Sequence, residues 1–199
     1  KEEPLSLGEK QFPIPDLRKV RNFKIKIDGQ DFSPGKVPRF SEKTLMVKAG
    51  DFLGLLDLPY TMDKTKTKLS IQKGDEFRLD LEVGERVVRL NFKPQEIEAP
   101  PVKFEELYGK PIFIPLVSIA HLLGYGTTWD KKTKTLYLCP KISRISLSEN
   151  TFSKISIEAE VPLNDDLMKS SLKDKIFTLD IKNSVLGEGK IEYSLISKS

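Results

Sequence analysis

The chain has 199 residues, 33 Lys+Arg against 29 Asp+Glu for a net charge of +4, and a hydrophobic fraction of 38%. With one His, one Cys and one Trp, it cannot build a metal site of several His or Cys ligands or an intramolecular disulfide. Its mixed charge lacks the one-signed clustering of a nucleic-acid binder, and no apolar run approaches the ~20 residues of a membrane span.

Residues 1–21 are rich in Pro and charge and read as an extended leader or linker. The chain starts at Lys1 rather than Met. It is read as a mature or trimmed segment of something longer, with its signal peptide already removed. Phe23, Ile25 and Ile27 alternate with Lys24 and Lys26 as a strand, and Asp28-Gly29 closes a hairpin.

Residues 45–71 then recur, without gaps, at 112–138, an offset of 67. Six of the 27 pairs are identical, among them Asp63/Asp130, Lys64/Lys131 and Leu69/Leu136. Apolar positions agree far better than residue types, as a repeated packing unit requires. Each copy predicts a short strand (Leu45–Val47, Ile112–Ile114), a short helix and a hairpin. The helical stripes are Ala49, Phe52, Leu53, Leu56 and Leu116, Ile119, Ala120, Leu123. They should bury Phe52, Leu56, Ile119 and Leu123 against a sheet, with Gly124 as the left-handed stop. The hairpin turns are led by Asp63 and Asp130, which can bond their own following backbone.

Between the copies, Phe77, Leu79, Leu81 and Val83 alternate with charge, and residues 87–92 read as their partner strand. Residues 94–111 read as a loop, and Pro140 as a hinge. Beyond it the helix signal ends. Residues 155–161, 177–181 and 191–195 alternate as half-buried strands. The fold class is therefore α+β: a twisted, mainly antiparallel sheet with two short helices over 22–140, then a small all-β module over 141–199.

Ile114-Pro115-Leu116, Ile119-Ala120, Leu123-Gly124 and Trp129-Asp130 through Thr133-Lys134-Thr135-Leu136 resemble the copper amine oxidase N-terminal-like domain. The first copy departs from that pattern at Lys48, Asp57 and Met62. The resemblance implies a stalk or adaptor without copper, quinone or other cofactor. Ile142-x-x-Ile145, Phe152 to Ile157 and Phe177 to Asn183 resemble, over about 58 residues, the first half of an AMIN domain. The order of the two resembles the non-catalytic front half of a bacterial N-acetylmuramoyl-L-alanine amidase, whose zinc domain would follow Ser199.

Each chemical candidate has a simpler reading beside it. A Ser-His-Asp or Cys-His pair would have to use His121, which lies off its helical stripe and reads as a surface residue. Cys139 reads as an inert thiol. Trp129 invites sugar stacking, but its mate Met62 favours a core position for both. The carboxylates Glu96, Glu98, Glu105-Glu106 and Asp165-Asp166 do not face one another across a cleft as glycosidase residues must, and Glu188 reads as a turn. Lys64, Lys66, Lys68, Lys131, Lys132 and Lys134 are contacts to an anionic polymer or solubilising turns.

No catalytic or metal residue is therefore expected. Tyr60, Tyr125, Tyr137, Lys131 and Lys132 are the ligand-binding candidates. The expected function is non-catalytic envelope targeting, with peptidoglycan or an anionic wall polymer as partner, outside the cytoplasm, without nucleic acid or a transmembrane segment. The alternatives are a stalk with no specific ligand, and an enzyme in its own right, which the missing His ligands oppose. Oligomeric state is left open.

Overall fold

The computed structural model describes residues 13–35, 37–149, 153–163, 168–173, 176–181 and 185–186. Most of the leader, the strand over 191–195, and Asp165, Asp166 and Glu188 lie outside the described residues.

A 3-10 turn (Leu17–Lys19), capped by Asp16, precedes β1 (Lys24–Ile27), β2 (Gln30–Phe32), β3 (Arg39–Ser41) and β4 (Thr44–Lys48). Helix α1 (Ala49–Leu55) leads to β5 (Tyr60–Met62), β6 (Lys68–Lys73), β7 (Phe77–Glu82), β8 (Val87–Leu90), β9 (Lys93–Glu96) and β10 (Val102–Lys103). Then come β11 (Ile112–Pro115), α2 (Leu116–Leu122), β12 (Tyr125–Asp130) and the long β13 (Thr135–Glu149). The last strands are β14 (Ser153–Ala159), β15 (Met168–Lys173), β16 (Ile176–Ile181) and β17 (Val185–Leu186). The described residues are mostly β with two short helices, compatible with the α+β expectation.

The strands do not form one sheet across 22–140. Among the described residues they form four sheets: β10-β11-β4-β3, β5-β6-β7-β8-β9, β12-β13-β1-β2 with β14 and β17 also on β13, and β15-β16. The chain divides into two compact units. One holds residues 13–15, 22–32 and the described residues from Leu123 onward; the other holds Asp16–Arg21 and Ser33–Leu122.

In the second unit the first strands of the two repeats pair with each other. β4 and β11 run antiparallel, with Val47 opposite Ile114 and Met46 opposite Pro115. Val47 and Ile114 are also equivalent under the repeat, so a local two-fold axis passes through that pair, and each residue sees its counterpart's surroundings. The flanks obey it as well: β3 sets Arg39 against Met46, and β10 sets Val102 against Phe113. Helices α1 and α2 span equivalent residues and each packs on both central strands. Phe52, Leu53, Leu116, Ile119 and Ala120 are fully buried there, and such side chains contribute roughly 1.5–3 kcal/mol each when large.

Several expectations need correction. Leu56 is only half-buried, whereas its repeat mate Leu123 is buried as expected; in α1 Leu53 is fully buried beside Phe52. The segment 94–111 holds edge strand β9 and short β10 rather than loop alone. Pro140 is no hinge: β13 continues through it, with Tyr125 as its cross-strand partner. Trp129 is buried as expected, but Met62 is 44% exposed, so the shared position is not a shared core position.

Candidate functional site

The β12–β13 hairpin carries four of the five candidate ligand-binding residues. Its turn is built on one carboxylate. Asp130 Oδ1 accepts from the Lys132 amide at 2.8 Å, and Oδ2 accepts from the Thr133 hydroxyl at 2.6 Å. Thr133 Oγ1 also lies 2.9 Å from the hydroxyl of Thr135, which is 2% exposed and donates to the Thr133 carbonyl at 3.3 Å, so its buried polar atom is satisfied. These hydrogen bonds, the Thr133 hydroxyl first, hold the Asp130 carboxyl below its ordinary range. Asp63 does the same for β5–β6, accepting from the Thr65 hydroxyl and from the Thr67 and Lys68 amides at 2.7 and 2.8 Å. Both aspartates are turn anchors rather than acid–base groups.

The turn leaves Lys131, Lys132 and Lys134 exposed, and none of them forms an ion pair among the described residues. Strand register then fixes what lies behind them. β1 pairs with β13 in parallel, and β2 pairs with β1, so Thr128, Tyr137, Lys26 and Asp31 form one row across the sheet. Asp130, Thr135 and Lys24 form the next row on the same face. Tyr137 is half-buried, Lys24 is exposed, and Lys26 reaches Asp31 at 3.4 Å. This face is polar and lysine-rich, with one aromatic ring near its centre.

Tyr125 lies on the opposite face. Side chains alternate along a strand, which places Tyr125 with Trp129, Leu136, Leu138, Ile25 and Ile27, all but Tyr125 buried. Burial first, and then the Asp28 carboxylate, push the Tyr125 hydroxyl up to about 12. The same two causes push the buried Cys139 thiol up to about 12, so it stays a thiol and is no nucleophile at neutral pH. Asp28 sits in the β1–β2 turn at φ 48, and its Oδ1 is buried without a hydrogen-bond partner among the described residues. Burial raises its own carboxyl above the ordinary range.

Tyr60 belongs to the other compact unit. Its hydroxyl lies 2.9 Å from where a Cβ on Gly50 would stand, so a larger residue there would require the ring end of Tyr60 to shift. That contact makes Tyr60 part of the packing of α1. Glu105 pairs with Lys110 and Glu106 with Arg39, which uses both in one loop. His121 is exposed, and no group of three or more His, Cys, Asp or Glu among the described residues could hold a metal ion. No helix among them is long and apolar enough to cross a membrane.

The sequence did not show that Lys24 and Lys26 join Tyr137 on one face. Their alternation announced a strand. Its partner, more than a hundred residues later, carries no local signal, because parallel pairing leaves no turn to read.

No curated protein and no solved structure matches the chain. The family model of the copper amine oxidase N-terminal domain matches residues 26–138. That stretch covers both repeats and the second half of β1, the strand that pairs with β13 in parallel. The domain is a non-catalytic accessory domain. The chain belongs to the copper amine oxidase N-terminal domain family.

Proposed function

We propose that this chain is a non-catalytic cell-envelope segment that binds peptidoglycan or another anionic wall polymer through the β12–β13 hairpin. The observation that carries the reading is the run of lysines at the turn, Lys131, Lys132 and Lys134, backed by Lys24 and Tyr137 on the adjoining face. A polyanion lying along that face would meet several cations at once, and each screened contact would add a modest gain. Tyr137 would supply a flat apolar contact with a wet hydroxyl. The buried, protonated thiol and the turn-anchoring aspartates fit a binding role better than a catalytic one.

Residues 141–199 serve, in this reading, as an AMIN-like module, and the parent chain is a cell-wall N-acetylmuramoyl-L-alanine amidase acting outside the cytoplasm. Support for that finer context is the Ile142 to Asn183 resemblance alone. Sedimentation with purified peptidoglycan tests the binding claim. Retention at low salt that falls as salt rises is expected. No retention at low salt would leave a spacer that binds nothing.

A further inference from the structure

The hairpin between β8 and β9 displays an aromatic ring where the backbone disfavours one. Asn91 and Phe92 are its two turn residues, both at positive φ, 49 and 67. Two-residue turns of this kind favour Asn followed by Gly, because the second residue is strained if it carries a bulky side chain. Phe92 is nevertheless 73% exposed, so the strain is not offset by burial.

The ring is held rather than loose. The Arg78 amide donates to Asn91 Oδ1 at 2.7 Å, and the Asn91 amide donates to the Arg78 carbonyl at 2.8 Å. The Arg78 guanidinium sits 5.6 Å from the Phe92 ring centroid, within reach of a cation–π contact. Arg78 belongs to the solvent face of the five-stranded sheet, which places the ring at that face's rim. On the same face Ser70, Asp80 and Arg89 form one row and Gln72 stands opposite Arg78. Ser70 donates to Asp80 at 2.6 Å, and Arg78 donates to the same carboxylate at 2.9 Å.

Charge on this face cancels. Lys68 is paired with Glu82 at 3.4 Å and Arg78 with Asp80, leaving Arg89 and Glu96 of opposite sign. A balanced face exerts little attraction on a polyanion. It suits an uncharged ligand whose flat C–H face meets an aromatic ring and whose hydroxyls meet planar Arg, Asp and Gln groups. The negative π face and the weakly positive sugar C–H groups are complementary.

We infer that Phe92 and the polar face beside it form a second binding platform, in the other compact unit, for the pyranose rings of a neutral polysaccharide. It is independent of the lysine hairpin, and salt separates the two. The probe is a soluble β-1,4-linked N-acetylglucosamine hexamer, titrated into the isotope-labelled chain and followed by amide shifts.

Shifts at Ser70, Gln72, Arg78, Asn91 and Phe92 are expected, with affinity unchanged within about twofold between low and high salt. Phe92→Gly should weaken binding by about tenfold or more without lowering the melting temperature, because glycine relieves the positive φ; Phe92→Trp should bind at least as tightly. No shift with the hexamer, shifts confined to other residues, or binding lost at high salt would overturn the inference. So would a Phe92→Gly variant that melts earlier yet binds as before, because the ring would then be a packing element.

Discussion

The two copies of the repeat share a helix of equal length and a hairpin in the same register, yet the hairpins join different sheets. In the first copy Met62 faces Leu69, and in the second Trp129 faces Leu136, at equivalent positions. β6 then takes β7, the next strand in the chain, as its neighbour, whereas β13 takes β1 in parallel. The first copy stays within one compact unit; the second is divided between Leu122 and Leu123, after its helix. A repeat thus encodes local geometry, while the non-local strand that each hairpin meets decides what its side chains bury.

The sharpest way to break this comparison is to truncate the paired residues. Trp129→Ala should cost about 3–5 kcal/mol in chemical denaturation, as for a large buried ring, because Trp129 is 6% exposed. Met62→Ala should change stability by no more than about 0.5 kcal/mol. Equal losses at the two sites would contradict the claim that one repeat position has two burial fates.

The helix stops differ next. Gly124 has φ 89, and a Cβ there would meet the Glu160 Cβ at 2.8 Å and the Glu160 carbonyl carbon at 3.3 Å. Gly124→Ala should therefore cost about 1–3 kcal/mol from overpacking alone, with the left-handed backbone adding to it. The equivalent residue in the first copy is Asp57, at φ 51. Asp57→Gly should be neutral or stabilising by up to ~1 kcal/mol. A thermal melt in which Gly124→Ala behaves like wild type would show that Glu160, just after β14, does not close on that glycine.

Much of this was legible in the sequence. The offset of 67, the helical stripes and the Asp-led turns are local patterns, and the chain folds locally as they dictate. What stayed hidden is what periodicity cannot carry. The β4–β11 pairing between copies needs the two-fold relation, and the Lys26–Tyr137 row needs a parallel partner that no turn announces. Met62 misled because a large apolar residue at a repeated position was read as core, although its hairpin lies in another sheet. Phe92 escaped notice because strain in a turn is a backbone property that residue type only hints at.

Acid pH offers a subtler contrast, between Asp28 and Asp130. Asp28's folded carboxyl is raised by burial, so its charged form is penalised at neutral pH and the penalty is relieved as pH falls through that folded value. Asp28→Asn should raise the melting temperature at pH 7, with the gain shrinking towards pH ~4. Asp130's folded carboxyl is lowered by the Thr133 hydroxyl and nearby amides. Its stabilisation is present above the ordinary carboxylate pKa of ~3.9 and is lost as pH falls through the lower folded value. Asp130→Asn should melt earlier than wild type at pH 7, with the deficit closing only in strong acid. Matching pH trends for the two variants would refute the opposed assignments.

The functional claim rests on the same difference between copies. Both turns carry lysines, but Lys68 of the first is bound to Glu82 on a charge-balanced face, while the second turn adjoins Lys24 and Tyr137. The direct measurement is sedimentation with purified peptidoglycan at low salt of wild type, a Lys131→Ala/Lys132→Ala variant and a Lys64→Ala/Lys66→Ala variant. The account predicts that wild type and the first-copy variant are retained alike, while the second-copy variant loses the part of its retention that falls as salt rises. Equal retention of both variants, or no retention of wild type, would contradict it.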